Sequence, residues 1–223
     1  VVNPNNPTGH FIAKHELREL RALCADRGIA MISDEVFRDY PIAPRAESVL
    51  TLGGSDSALT FTLHGLSKSV GLPQMKLAWI AGSGPQAEVK TALERLEVIA
   101  DTFLSLNAPV QLAAPVLLEQ RRQVQPLLLD RLRTNLASLD RHLVRHKSCA
   151  RLQMDGGWSV VLRLPAIKSD EELAIDVLRK VGVLVHPGHF YDFAGDGYVV
   201  LSLITPPQDF DQGTKRILDC IES

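Results

Sequence analysis

The chain alternates between two hydrophobic periods, and the order of the alternation predicts its architecture. Leu17, Leu20 and Leu23 recur at helical spacing in a charged background, and Gly28 follows Arg27 as a C-terminal stop. Ile29-Ala30-Met31-Ile32 is then a short, wholly apolar run, the pattern of a central strand covered on both faces, and it ends in the acidic pair Asp34-Glu35. Further strands fit Leu59 to Leu63 and Leu77 to Ala81, so helices and buried strands alternate as in an α/β layered domain. Leu129, Leu132, Leu136, Leu139 and Leu143 step by three and four and place one apolar stripe on a long helix, with Pro115 and Pro126 expected to start or kink the helical segments before it.

A second unit is expected from about Cys149. Trp158, Val160, Leu162 and Leu164 alternate with Ser159, Val161 and Arg163, as in a strand facing a core on one side. Ser169-Asp170-Glu171-Glu172 has the form of a capping box, so a helix starts there, buries Leu173, Val177 and Val181, and stops at Gly182. Val183 to Val185 and Tyr198 to Leu203 read as strands, and Phe210, Ile217 and Ile221 share one face of a last helix. Val1-Val2-Asn3-Pro4 reads as the end of an apolar strand running into a loop, which suggests the C-terminal portion of a longer protein.

Composition narrows the classes. Of 223 residues 45% are apolar and 22% charged, with 24 basic against 26 acidic side chains and a net charge of −2, so the chain can form a core and carries no basic excess for a nucleic-acid backbone. The uncharged stretch from Thr102 to Leu118 is interrupted by Asn107, Pro109, Gln111 and Pro115 and is shorter than the roughly 20 residues of a membrane span. Cys24, Cys149 and Cys220 are odd in number and widely spaced, the usage of reduced thiols in a cytoplasmic protein.

Three constellations carry chemistry: Asn3-Pro4-Asn5-Asn6-Pro7-Thr8-Gly9, Ser33-Asp34-Glu35-Val36-Phe37, and Gly65-Leu66-Ser67-Lys68 followed by Gly71-Leu72-Pro73. Singly they read as a turn, a strand-end carboxylate and a solvated lysine. Together, each follows an inferred strand, and ligands of open α/β sheets bind at those strand ends. In these residues the sequence resembles the fold-type-I pyridoxal-phosphate enzymes, specifically the class I and II aminotransferases, over essentially its whole length.

The resemblance implies the C-terminal part of a large cofactor-binding domain, a mostly parallel sheet with helices and a long interdomain helix over residues 1–148. A small α+β domain over 149–223 would follow. It implies pyridoxal 5'-phosphate as cofactor, an amino acid and a 2-oxo acid as substrates, and a homodimer in which Asp101 to Asn107 lies at the interface. Lys68 would form the internal imine and shuttle a proton, Asp34 would pair with the pyridine nitrogen, and Asn6 would donate to the ring hydroxyl oxygen.

Four positions depart from the family pattern. Phe37 stands where many relatives carry a tyrosine that also contacts the ring oxygen, and Gly65 where a serine often meets the phosphate, so that Gly65 can offer only backbone. Lys76 replaces the arginine that grips the phosphate, supplying charge without a bidentate fork. Val200 occupies the place of the arginine that binds the substrate carboxylate; Arg163, on another strand, reads as an exposed structural residue. His189 and Tyr191, in the loop His186-Pro187-Gly188-His189-Phe190-Tyr191, are candidates for substrate contact, while Trp79 and Trp158 read as core residues. Besides amino transfer, a pyridoxal-phosphate-dependent lyase and a cofactor-responsive regulatory domain without turnover remain open.

Overall fold

The computed structural model describes residues 1–103 and 105–222. Helix α1 (Lys14–Arg27) ends at Gly28, whose φ of 60° is the left-handed conformation that closes a helix cheaply without a Cβ. Strands β1 (Met31–Asp34), β2 (Thr60–Gly65) and β3 (Ala78–Ser83) form one sheet in the order β1-β2-β3. The β1–β2 pair is parallel and the β2–β3 pair antiparallel, an α/β layer of the expected class in which β3 runs against the other strands. Val2 bridges Asp34 in parallel on the other side of β1, which continues the sheet toward the start of the chain.

The expectation that Ile29 to Ile32 is covered on both faces is corrected. Met31 is buried, but Ile32 is 58% exposed: on its face of the sheet the helix after β3 packs at Gly82, two strands away, through Val89 and Leu93, and leaves Ile32 uncovered. Leu23, placed on the buried stripe of α1 by spacing, is likewise exposed, while Leu17 is buried.

After the single helical turn α2 (Leu66–Ser69) and a 3₁₀ turn at Pro73–Met75, the chain runs through α3 (Gln86–Phe103), α4 (Ala108–Glu119) and α5 (Arg121–Leu143). Asn107 caps α4 by accepting from the Val110 amide at 3.0 Å. Pro115 and Pro126 lie inside α4 and α5 rather than at their starts. Of the interface segment expected at Asp101 to Asn107, residue 104 lies outside the described residues. The α5 stripe is confirmed: Leu132, Leu136 and Leu139 are buried, with Leu129 and Leu143 packed at the margin of the same core.

The second sheet has the order β4-β5-β7-β6, all antiparallel, from β4 (Ala150–Arg151), β5 (Ser159–Arg163), β6 (His186–Pro187) and β7 (Tyr198–Ser202). Helices α6 (Asp170–Val181) and α7 (Pro207–Glu222) close it. Its core face carries Val160, Leu162, Val199 and Leu201 against Leu132 and Leu139 of α5, Val177 of α6 and Phe210 and Ile217 of α7. Val161 and Val200, on the opposite face, are buried as well, so β5 is covered on both sides where alternation predicts one. Val183 to Val185 is not a strand. Leu184 is 75% exposed, and the pairing begins only at His186, opposite Val200.

The capping box of α6 is present: the Ser169 hydroxyl oxygen accepts from the Glu172 amide, and the Ser169 amide donates to Glu172 Oε2 at 3.2 Å. We predict that Ser169→Ala lowers stability by about 1 kcal/mol while Ser169→Thr keeps most of it, as read from urea unfolding.

Candidate active site

The loop between Asn3 and Ala13 is fixed from below by buried polar groups. Asn3 is fully buried: its side-chain amide donates to the Val49 carbonyl at 2.8 Å, its oxygen accepts from the Ile12 amide at 2.9 Å, and its backbone amide donates to the Asp34 carbonyl. Asn3-Pro4 and Asn6-Pro7 are cis. Asn6 is carried outward on this frame, and its Oδ1 accepts from the Ser159 hydroxyl of β5 at 3.4 Å, which turns its amide nitrogen to the other side as a donor.

Asp34 and Glu35 behave oppositely although adjacent. Glu35 is fully buried and satisfied, accepting from the Ser33 hydroxyl, the Leu52 amide at 2.7 Å and the Arg38 guanidinium at 3.1 Å; it is a structural carboxylate. Asp34 is half-buried at the end of β1. Its Oδ1 accepts from the Val36 amide at 3.1 Å, and its Oδ2 has no partner among the described residues.

Lys68 sits in the turn α2 at the end of β2, and its backbone is held from several directions. The Tyr40 hydroxyl donates to the Lys68 carbonyl at 2.5 Å, Gln125 of α5 donates to the Ser69 carbonyl at 3.1 Å, and the Ser69 hydroxyl donates to the Gly65 carbonyl at 2.8 Å. Its amine projects over two rings, 4.9 Å from the centre of Trp158 and 5.3 Å from that of Phe37. Trp158 packs at the edge of the second core, as the sequence suggests, but its ring also faces the lysine. Tyr40 is fully buried, edge-on to Trp158 at 5.1 Å, and burial together with the Asp39 charge pushes its phenol well above the usual value of 10.0.

Beneath Lys68, His64 stacks on Trp79 at 5.1 Å with the rings 8° from parallel. The Gly65 amide donates to His64 Nδ1 at 2.8 Å, so the proton sits on Nε2, which faces Asp39 Oδ2 at 3.3 Å. Burial raises the Asp39 carboxyl, but His64, Arg38 and Arg121 outweigh it and hold the group below 3.8.

Lys68, Asn6, Phe37, Trp158 and Ser159 line one cavity of about 480 Å³ together with His186, Tyr191 and Val200 from the second sheet and Thr205, Asp209 and Phe210 beyond it. The structure thus brings together Asn6, Lys68 and Tyr191 of the expected residues. Asp34, Gly65 and Lys76 stand outside this lining, as does His189, which is exposed, whereas its neighbour His186 lines the cavity. Gly65 has its amide engaged by His64 and its carbonyl by Ser69; a Cβ there would come within 2.9 Å of the Leu77 carbonyl, which explains why no serine is found. Lys76 is exposed and takes a left-handed φ of 52° at the end of the 3₁₀ turn. Arg163 is exposed at the far end of β5, in register with Tyr198. Tyr40, His186 and Ser159 were not legible as site residues, since nothing local distinguishes them before the register of the sheets is known.

A family model for aminotransferase class I and II matches residues 1–216. Alanine aminotransferase of Mycobacterium tuberculosis is 26% identical over 219 residues, which cover 95% of this chain and 50% of that protein. Glutamate-pyruvate aminotransferase AlaA of Haemophilus influenzae is 26% identical over 217 residues, 91% of this chain and 52% of that protein. Among solved structures, alanine aminotransferase from Pyrococcus furiosus superposes with a TM-score of 0.85 at 24% identity, over 100% of this chain and 56% of that one, a likeness of fold. The chain therefore spans about half the length of the relatives it matches. A match over nearly every residue, joined to a lysine, an asparagine and a strand-end aspartate in the expected order, places this chain in the class I and II aminotransferase family.

Proposed function

We propose that the intact protein transfers an amino group between an amino acid and a 2-oxo acid, using pyridoxal phosphate attached through the Lys68 amine. The observation that carries this reading is the placement of that amine in the wall of a roomy cavity, on a backbone held by Tyr40 and Gln125, with Asn6 lining the same space. The residues present fit the cofactor. The Asn6 amide is aimed by Ser159, Asp34 keeps one carboxylate oxygen without a partner among the described residues, and the flat rings of Trp158 and Phe37 border the lysine.

Pyridoxal phosphate, when bound, supplies an electron sink for the carbon that carries the amine. Asp34 Oδ2 would accept from the ring nitrogen and hold its proton in place. Asn6 Nδ2 would donate to the ring oxygen, alone, because Phe37 has no hydroxyl. Lys76 would contribute positive charge toward the phosphate, whereas the Gly65 backbone, expected to face it, is already engaged by His64 and Ser69. Lys68 Nζ would carry a proton to and from the substrate carbon, and the Trp158 and Phe37 rings would limit water around it.

We extend the reading to a homodimer in the cytoplasm. The apolar side chains left open at Ile32, Ile80 and Phe103 support cover by further structure, and the buried thiols Cys24 and Cys149 support a reducing compartment. Among the described residues no helix is long and apolar enough to cross a membrane, and no three His, Cys, Asp or Glu are grouped to hold a metal.

Two experiments test this reading. The purified intact protein is expected to show a visible absorbance band that Lys68→Ala abolishes, and to convert an amino acid to its 2-oxo acid in a single turnover. Absence of the band, or release of an elimination product instead, would overturn it. Tyr40→Phe is expected to cost about 1–3 kcal/mol, since a buried acceptor loses its donor, and to weaken cofactor retention on gel filtration. The phenol is raised in the folded state, so the stability it confers is full below about pH 10, where the unfolded chain's phenol ionises, and is lost as pH rises. Tyr40→Phe should therefore flatten the alkaline limb of the stability profile.

A further inference from the structure

We propose that His186, steadied by Tyr191, holds the substrate carboxylate in place of the arginine that Val200 displaces. The inference rests on the amino-transfer reading above and names the group that completes its substrate site. In the β6–β7 pairing His186 lies directly opposite Val200, and directly paired residues of an antiparallel sheet project from the same face. That face is not the core face, which carries Val199 and Leu201. It is the one on which Ser159, Val161, Val200 and Ser202 alternate outward, and Ser159, Val200 and His186 line the cavity that Lys68 enters. A side chain at 186 thus occupies the space that a long basic residue at 200 would reach.

The imidazole is oriented as the task requires. His186 Nδ1 and the Tyr191 hydroxyl are 2.9 Å apart, and the two rings stack at 6.2 Å and 26°. This contact engages Nδ1 and leaves Nε2 as the nitrogen that can donate to a carboxylate in the cavity. Burial raises the Tyr191 phenol from its ordinary value of 10.0, which keeps it a neutral hydrogen-bonding partner.

The groups around the histidine are few. Tyr191 faces it from the 3₁₀ turn at Gly188–Tyr191, Lys68 and Asp209 border the same cavity, and Phe190 adds an uncharged ring 6.1 Å away. From α6 the buried Asp170 approaches the turn, but its Oδ1 already accepts from the Gly197 and Tyr198 amides. Arg163, one pair further along the same sheet face, is exposed and lies outside the cavity lining. The Asp209 carboxylate at the other end would repel a second acid. The site therefore suits an α-amino monocarboxylate with an apolar side chain.

The test uses the intact protein, loaded with pyridoxal phosphate and checked for its visible band, with 3-phenylpropionate as a carboxylate that cannot react, titrated by tryptophan fluorescence. His186→Gln is expected to weaken its binding by about 10- to 100-fold and to raise KM for phenylalanine in the same proportion, with kcat little changed. His186→Arg, which restores a basic donor at this position, is expected to recover the affinity that His186→Gln loses. Tyr191→Phe should show a smaller loss, again in KM rather than kcat. The assignment is overturned if His186→Gln binds the probe as tightly as the parent, or if Arg163→Gln produces the loss instead. A protein without the visible band would sink the amino-transfer reading and this assignment with it; a normal band with an indifferent His186→Gln sinks the assignment alone.

Discussion

The carboxylate of Asp155 joins three stretches of chain that are far apart in sequence. Fully buried, it accepts from the Phe11 amide and from Arg45 Nε, each at 3.2 Å, while its backbone carbonyl accepts from the Ile42 and Ala43 amides and its amide donates to the Gly9 carbonyl. Gly9 and Gly156 pack so closely that a Cβ on Gly9 would lie 2.4 Å from the Gly156 carbonyl. The loop bearing Asn6, the segment after Tyr40 and the lead into β5 are thereby one unit. Asp155 is fully buried while the Arg45 side chain is 38% exposed, so losing the arginine would strand the carboxylate, whereas losing the carboxylate would leave the arginine within reach of water.

From that brace the geometry around Lys68 follows. The lysine belongs to the first sheet and Trp158 to the edge of the second, yet their 4.9 Å contact requires the two sheets to be placed to within a side chain's width. Tyr40 contributes at both ends, donating to the Lys68 carbonyl and packing edge-on against Trp158. Gln125 adds a tie from α5, the helix whose leucine stripe fills the core of the second sheet. The lysine's position is thus determined by groups in both units, none of which is beside it in sequence.

This is also the division between what the sequence made legible and what it concealed. Local rules with a fixed spacing held: the cap at Ser169, the left-handed glycines at 28 and 182, the stripe from Leu129 to Leu143, and the order of the three motif loops. Inferences that needed a neighbour were less secure. Ile32 is as apolar as a central-strand residue should be, yet its side chain is left uncovered. Val183 to Val185 has the composition of a strand, but pairing starts only at His186, whose place opposite Val200 puts it in the cavity lining. Tyr40, Asp155 and Gln125 act through the backbone of distant residues, a relation that no periodicity encodes.

Three of the four departures from the family pattern, at Gly65, Phe37 and Val200, make physical sense together. Gly65 is required where β2 and β3 run too close for a side chain, and its polar backbone groups turn inward to His64 and Ser69. Phe37 has no hydroxyl to offer a ring, but its own ring meets Trp158 at 5.5 Å and forms half of the aromatic setting of the Lys68 amine. Val200 is buried between Val161 and His186 in a row across the sheet, so that the face is apolar at its centre and basic at its margin. Polarity withdrawn at positions 37 and 200 reappears one strand or one loop away, at Ser159 against Asn6 and at His186 against Tyr191. The cavity wall thus keeps its lysine and its aromatic border while its polar groups are carried by different positions.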